Sequence, residues 1–244
     1  MGFYQFRSLI LSSSIFGESD KKVTFLTEEG ALYVGIAKGA LKSRRRFVGA
    51  LEPLTEVSLS FFDKKGNAFV RLEGAQVLNS YRKIKEDLNR VGCGLYLCDL
   101  VRSAAPPRQK DLRIYSTVTD CLQELEIRDP QVIARVFEMQ FLNLLGLSPV
   151  LSSCAMCQRE VPTKVRDEIR FRIPQGIICS DCPRMLGDMF VPLPVVDQLW
   201  NGLSGKNLER TTFEPALKTL LKRLLEYHFE SSSQARRVWE ELVS

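Results

Sequence analysis

The sequence predicts an α+β chain of several parts: an N-terminal β-barrel of the OB-fold type, a helical centre and C-terminus, and a small four-cysteine ribbon inserted among the helices. Three observations carry this. Apolar residues alternate with a period of two up to about residue 80 and recur at helical spacing from Tyr81 onward. Two Cys-x-x-Cys pairs, Cys154/Cys157 and Cys179/Cys182, stand 21 residues apart. Between two strand-like runs, five of the nine residues from Lys38 to Arg46 are cationic and none is acidic. The expected segments are 1–80 for the barrel, 81–150 for a helical domain, 151–190 for the ribbon and 191–244 for terminal helices that pack on the helical domain.

A chain of 244 residues can bury more than one core. With 45% hydrophobic and 26% charged residues it has the composition of an ordinary globular protein, so the disordered and fibrous classes are excluded. The net charge of +5 is local rather than spread: residues 1–80 carry 11 Lys/Arg against 8 Asp/Glu, much of the excess in one loop. No apolar run approaches the ~18 residues of a membrane span. The apolar residues Leu9-Ile10-Leu11 give way to Ser12-Ser13-Ser14 and then to Glu18 and Asp20, which argues against a signal peptide. Met1-Gly2 has Phe6 where a myristoylation signal wants Ser or Thr. A cytosolic location is expected. In that reducing setting seven cysteines point to metal ligation rather than disulfides.

Strands come first. Phe3, Phe6, Leu9 and Ile10 open the pattern, and Val23 with Phe25, then Leu32, Val34 and Ile36, continue it. Thr27-Glu28-Glu29-Gly30 reads as a hairpin turn with Gly30 at positive φ. Val57, Leu59 and Phe61 form another strand, which Lys64-Lys65-Gly66-Asn67 turns back through Phe69 and Arg71. Five short strands joined by tight turns suit a closed OB barrel. Such a barrel binds nucleic-acid strands between loops that supply cations, here Lys38, Lys42, Arg44, Arg45 and Arg46 on one loop and Lys64 and Lys65 on a neighbouring one. A plain solvated surface is the competing reading of the same charges. One of Phe61 and Phe62 must face the core, leaving the other to offer a ring outward.

Helices follow. Ile84, Leu88, Val91 and Leu95 recur at helical spacing until Ala104-Ala105-Pro106-Pro107 stops the pattern. A second helix starts near Leu112 with Tyr115, Val118, Leu122 and Leu125 on one face. Asp129-Pro130 opens a third, whose stripe runs from Ile133 through Phe137 and Phe141 to Leu145, with Gly146 as its C-terminal cap. Cys93, Cys98 and Cys121 lie inside these patterns without paired spacing and read as buried apolar side chains.

The paired knuckles are the strongest motif. Each Cys-x-x-Cys turns tightly enough to offer two thiolates to one ion, so Cys154, Cys157, Cys179 and Cys182 are expected to hold one structural Zn2+. Between them Glu168–Ile173 alternates as a strand, and Gln175-Gly176 turns the chain back. Four sulfurs close the coordination sphere, which argues against a catalytic zinc. After Pro192 and Pro194 the chain ends in helices, one with the stripe Leu217, Leu220, Leu221, Leu224 and Leu225. His228, at the edge of that stripe, reads as a hydrogen-bonded packing residue. No phosphate-binding loop is present, since Gly205-Lys206-Asn207 lacks the upstream glycine and the hydroxyl residue. No acidic cluster for paired magnesium ions, nucleophile elbow or HExxH appears, and no catalytic residue is assigned.

With these residues in place, the chain resembles the bacterial DNA repair protein RecO family. The resemblance runs in order through Ala37-Lys38-Gly39-Ala40, Ser43-Arg44 and Leu51-Glu52-Pro53, then Phe137-Glu138 and Leu144-Leu145-Gly146-Leu147-Ser148-Pro149, and ends at Leu224-Leu225-Glu226-Tyr227-His228. It departs at Leu41, Leu54 and Gln158, where the family often has a cation, Phe and Gly. The resemblance implies an OB-fold followed by helices, with a zinc site that only some members carry. It also implies binding of single- and double-stranded DNA and annealing of complementary strands coated by single-stranded DNA-binding protein. With RecR, members help to load RecA, without ATP hydrolysis. A bacterial cytoplasmic, nucleoid-associated location goes with that role. The acidic, apolar C-terminal tail of single-stranded DNA-binding protein would need cations near its groove, for which Arg223, Arg236 and Arg237 are candidates. An RNA-binding or RNA-processing protein, enzyme or subunit, is the alternative, and a scaffold for an acidic protein surface is a third.

Overall fold

The computed structural model describes residues 2–43, 45–64, 66–161, 167–204, 212–229 and 233–243. These residues form two compact units, 1–130 with 231–244, and 131–230. The helices expected as one domain over 81–150 are therefore shared between the two, and of the expected terminal segment 191–244 only residues 231–244 join the barrel's unit.

In the first unit, β1 (Gly2–Phe16), β2 (Asp20–Thr27), β3 (Leu32–Ala37), β4 (Thr55–Asp63) and β5 (Val70–Asn79) pair in the order β1-β2-β3-β5-β4. β4 returns to β1 and closes the barrel. Only β3 and β5 run parallel among the pairs of this barrel. This is the expected OB-fold. Alternate residues fill its inside: Ile10, Val23, Phe25, Val57, Leu59 and Phe61 are fully buried. Phe61 is the inward member of its pair, ringed by Phe25, Tyr33 and Tyr4 at centroid distances of 5.4, 5.3 and 5.7 Å. Gly30 takes the expected positive φ of 78°, and its missing side chain also admits the carbonyl of Asp111, which a Cβ would meet at 1.8 Å.

The connection from Lys38 to Leu54 is a series of turns. Phe47, Ala50 and Leu51 drop from it into the barrel core, so the loop is anchored by apolar burial rather than free at both ends.

Behind the barrel lie α1 (Arg82–Lys85), α2 (Leu88–Ala104), α3 (Leu112–Leu125) and α7 (Ser233–Val243). The helical spacing located α2 but not its inner face. Leu88 and Leu95 are 66% and 39% exposed, whereas Tyr96, Leu97, Leu100 and Val101 are buried. The reason is that β1, α3 and α7 all pack on α2, so burial wraps most of the helix and no single stripe marks it. Asp87 caps its N-terminus by accepting from the amides of Asn89 and Arg90. Tyr96 stacks on Trp239 of α7 at 5.7 Å, and Trp239 Nε1 donates to Asn89 Oδ1 at 2.8 Å. α3 buries the expected Tyr115, Val118, Leu122 and Leu125. It is joined to the barrel by Glu56, a buried carboxylate that accepts from Arg7 of β1 and from the Tyr115 hydroxyl, each at 2.5 Å.

The second unit contains α4 (Pro130–Leu144), a sheet of β6 (Glu168–Arg172), β7 (Gly176–Ile178) and β8 (Met189–Pro192), then α5 (Leu193–Leu203) and α6 (Pro215–His228). The sheet has the order β7-β6-β8 and is antiparallel throughout. Gly146, at φ 71°, ends α4 as its spacing predicts. α6 buries Leu217, Leu220, Leu221, Leu224 and Leu225. The expected hydrogen bond of His228 is not found: its Nε2 is buried without a partner among the described residues.

Candidate nucleic-acid interface and metal centre

Lys38, Lys42, Arg45 and Arg46 are all exposed; Arg44 lies outside the described residues. Their loop is fixed at several points. The Gly39 amide donates to Asp20 Oδ1 at 2.8 Å and the Leu41 amide to the Ser19 carbonyl at 3.0 Å, so the loop is moored to the β1–β2 turn. Farther on, the Ala75 amide donates to the Arg46 carbonyl at 2.9 Å, tying the loop to β5. Arg46 also works within the loop: its Nη2 donates to the Lys38 carbonyl at 2.7 Å and its guanidinium lies 5.1 Å from the Phe47 ring centre. A loop whose backbone is tied down in this way loses little further backbone freedom when it meets phosphates.

Lys64 is exposed in the β4–β5 turn, where the Asn67 amide donates to its carbonyl at 3.0 Å and Gly66 takes φ 91°. Lys65 lies outside the described residues. This turn is not beside the first loop as expected. β3 runs parallel to β5 and β4 antiparallel to it, so Lys38 and Lys64 leave the barrel in opposite directions.

The four knuckle cysteines converge. Their sulfurs all lie within 4.8 Å of one another, with Cys154–Cys182 at 3.8 Å and Cys157–Cys179 at 3.6 Å. A tetrahedron with metal–sulfur bonds of about 2.3 Å has edges of about 3.8 Å, so the separations suit one tetrahedral ion. The electrostatics agree. Burial raises the Cys154 thiol, but the amides of Cys179, Cys157 and Met156 outweigh it and hold it down to about 6. Cys182 is pushed up to about 12, first by its hydrogen bond to Cys179 and then by burial and the other sulfurs. Four like charges this close resist joint ionisation, and a bound cation is what reverses that logic.

A shell of charged side chains around the knuckles was not singled out in the sequence. Arg170 donates to the Cys182 carbonyl at 2.7 Å and also to the Cys179 carbonyl. Arg172 pairs with Asp188, whose side chain is 1% exposed, at 2.6 and 3.0 Å, and Asp188 accepts from the Met185 amide. That pairing, with the amide, holds the Asp188 carboxyl well below the usual carboxylate range. The clue was present in the strand pattern: Arg170 and Arg172 alternate with the buried Ile169 and Phe171 and so share the opposite face of β6.

Other predicted residues are placed as follows. Arg236 is a correction. Its side chain is 4% exposed, pairs with Glu240 at 3.2 Å and lies 5.7 Å from the Tyr96 ring centre, which makes it part of the α7–α2 packing rather than a docking cation. Arg237 and Arg223 are exposed, one in each compact unit. Cys93, Cys98 and Cys121 are buried as expected, and burial pushes Cys98 and Cys121 up to about 12, so they are unreactive thiols.

Comparison with known proteins agrees with this architecture. The family profile described as "Recombination protein O N terminal" matches residues 1–81, and "Recombination protein O C terminal" matches residues 85–238. A protein named "DNA repair protein RecO" from Anaeromyxobacter sp. (strain K) is 30% identical over 243 residues, covering 96% of this chain and 94% of the relative. Another of that name from Myxococcus xanthus (strain DK1622) is 29% identical over 224 residues, covering 91% and 89%. One from Moorella thermoacetica is 26% identical over 248 residues, covering 99% and 92%. A closed OB barrel, helices in both units, convergent knuckles and end-to-end matches all point the same way: this chain belongs to the RecO family.

Proposed function

We propose that the chain is a cytoplasmic, nucleoid-associated mediator of DNA repair and recombination that binds single- and double-stranded DNA through its barrel. It anneals complementary strands coated by single-stranded DNA-binding protein and, with RecR, promotes the loading of RecA. The observation that carries this is the exposed set Lys38, Lys42, Arg45 and Arg46, held on a loop anchored in the barrel core, in a member of this family. These cations, with Arg44, track phosphates. Annealing then needs no catalytic group: neutralised phosphates let two strands approach, and base pairing selects the partner. The four cysteines hold a structural Zn2+, and its role is stability rather than chemistry. Arg223 and Arg237 remain the candidate cations for the tail of single-stranded DNA-binding protein. An RNA-processing role has no observation in its favour beyond the barrel and the ribbon themselves.

Five phosphate contacts on a single strand give a slope of log affinity against log salt on the order of −3.5. Replacing Arg44, Arg45 and Arg46 by Ala should flatten it by about 2. The decisive assay is annealing of coated complementary oligonucleotides without ATP and with magnesium chelated. Acceleration that disappears in the triple variant supports a passive annealer working through this loop. Tight DNA binding without acceleration would leave an adaptor, and no DNA binding at all would remove the reading.

A further inference from the structure

Between the two cationic turns, the outside of the barrel carries a continuous row of cross-strand neighbours. Register places Lys22 opposite Ile36, Ile36 opposite Arg71, Arg71 opposite Phe62 and Phe62 opposite Phe3. Their chain neighbours Val23, Val70 and Phe61 point into the core, so alternation sets the row on the outer face. Phe3 is 56% exposed, with its ring 5.1 Å from that of Phe62. Phe69 shares the face two residues before Arg71; it is 41% exposed, and Lys22 Nζ lies 5.2 Å from its ring centre. The Arg71 side chain is exposed and pairs with Glu73 at 2.6 Å.

Exposed rings on a soluble barrel call for a partner, and the charges say which kind. Cations occupy one part of the row, Lys22 and Arg71 on either side of Ile36, and the paired rings Phe62 and Phe3 the other. Lys38 follows Ile36 by two residues at one end, and Lys64 follows Phe62 by two residues in the opposite direction. A chain that reaches from Lys38 to Lys64 crosses β3, β5 and β4 and so passes Arg71 and Phe62, with Lys22 on the strand beyond β3 and Phe3 on the strand beyond β4. Single-stranded DNA has that chemistry, bases for the rings and phosphates for the cations. We propose that this row is a base-stacking track for single-stranded DNA, with bases on Phe3, Phe62 and Phe69 and phosphates beside Lys22 and Arg71. The proposal rests on the reading that the barrel binds DNA, and adds where the bases lie and how single strands are preferred. A duplex keeps its bases stacked inside and gains nothing from the rings.

The test compares wild type with Phe3→Leu/Phe69→Leu, a double variant at exposed positions, and with Phe62→Leu. Each is titrated with a short oligothymidylate, with the matching duplex, and with a single strand carrying 2-aminopurine, at several salt concentrations; thermal melting checks the fold. The double variant should bind the single strand about tenfold more weakly with an unchanged salt slope, keep its duplex affinity within about twofold, and lose quenching of the reporter base. Undiminished single-strand affinity in folded variants, or equal losses on both substrates, overturns the track while leaving barrel binding intact. Unchanged DNA binding with loss of a protein partner would reassign the row to a protein interface. Wild type that binds no DNA removes the barrel reading, and this one with it.

Discussion

The barrel and the ribbon reach a fixed structure by different means. The barrel encloses a core of twelve buried residues, among them Phe25, Phe47 and Phe61, and closes its strands on themselves so that no edge is left open. Among the described residues, the cluster around the knuckles has Cys154, Ile178 and Cys179 as its buried members. Its shape depends on four sulfurs and on Arg170, Arg172 and Asp188 pinning the turns from outside. A core of that size cannot offset the entropy of ordering its loops, whereas a thiolate-bound ion can. The difference teaches where each part would be vulnerable: one to cavities, the other to loss of the ion that four sulfurs so placed are suited to hold.

The largest effect should come from metal removal. Structural zinc sites contribute about 10–16 kcal/mol of apparent binding energy in small peptides, as much as a whole domain's net stability of about 5–15 kcal/mol. A strong chelator under reducing conditions, or Cys154→Ser, should abolish amide protection across 154–161 and 167–192 while amides of β1–β5 exchange as before. Hydrogen exchange read by mass spectrometry checks this. Protection of the ribbon that survives verified removal of zinc would show that its side chains suffice without the ion.

The converse perturbation is Phe61→Ala. Removing a fully buried ring at the centre of an aromatic cluster should cost about 3–5 kcal/mol, read as a lowered denaturation midpoint of the barrel with amide protection of the ribbon unchanged. A smaller step is Tyr115→Phe, which withdraws the hydroxyl from the buried Glu56. Hydrogen bonds to charged groups contribute about 1.5–3 kcal/mol, and the variant should lose that much in denaturant titrations. Burial, and then the bond to Glu56, raise the Tyr115 hydroxyl well above its ordinary value. Above about pH 10 the unfolded chain releases this proton and the folded one does not. Wild type should therefore lose stability there faster than Tyr115→Phe.

How much of this was legible follows from what each signal measures. Alternation marked the five strands because a barrel buries one face and wets the other, and Cys-x-x-Cys spacing marked the knuckles because a local turn sets it. α3 and α6 were legible face by face, since each buries a single stripe. α2 was not, because neighbours surround it and its exposed leucines, Leu88 and Leu95, are as apolar as its buried ones. Arg236 was misread for a related reason: a guanidinium near a chain end looks like a surface charge until Tyr96 and Glu240 enclose it. The directions in which Lys38 and Lys64 leave the barrel depend on the parallel pairing of β3 with β5, a long-range fact that no local pattern carries.

The finest test of the contrast concerns the shell outside the sulfurs. The partners of Asp188 are arginines and an amide rather than sulfurs: it fixes Arg172, accepts from the Met185 amide and lies 4.0 Å from Arg170, whose guanidinium holds the carbonyls of Cys179 and Cys182. Groups that orient ligands in this way typically alter metal affinity by 10–100-fold. Acting through the backbone rather than on the sulfurs, Asp188→Asn should weaken zinc affinity by about tenfold, the low end of that range. The pH dependence separates this role from a direct one. The folded carboxyl lies below its unfolded value of about 3.9, so its contribution is fully present above about pH 4 and is lost as pH falls through the folded value. The ratio of wild-type to variant affinity, measured by chelator competition, should therefore be constant from about pH 6 to pH 8, even though affinity itself rises as the thiols ionise. A ratio that changes across that range would mean that the aspartate acts on a thiol's proton, and that the arginines alone hold the knuckles in place.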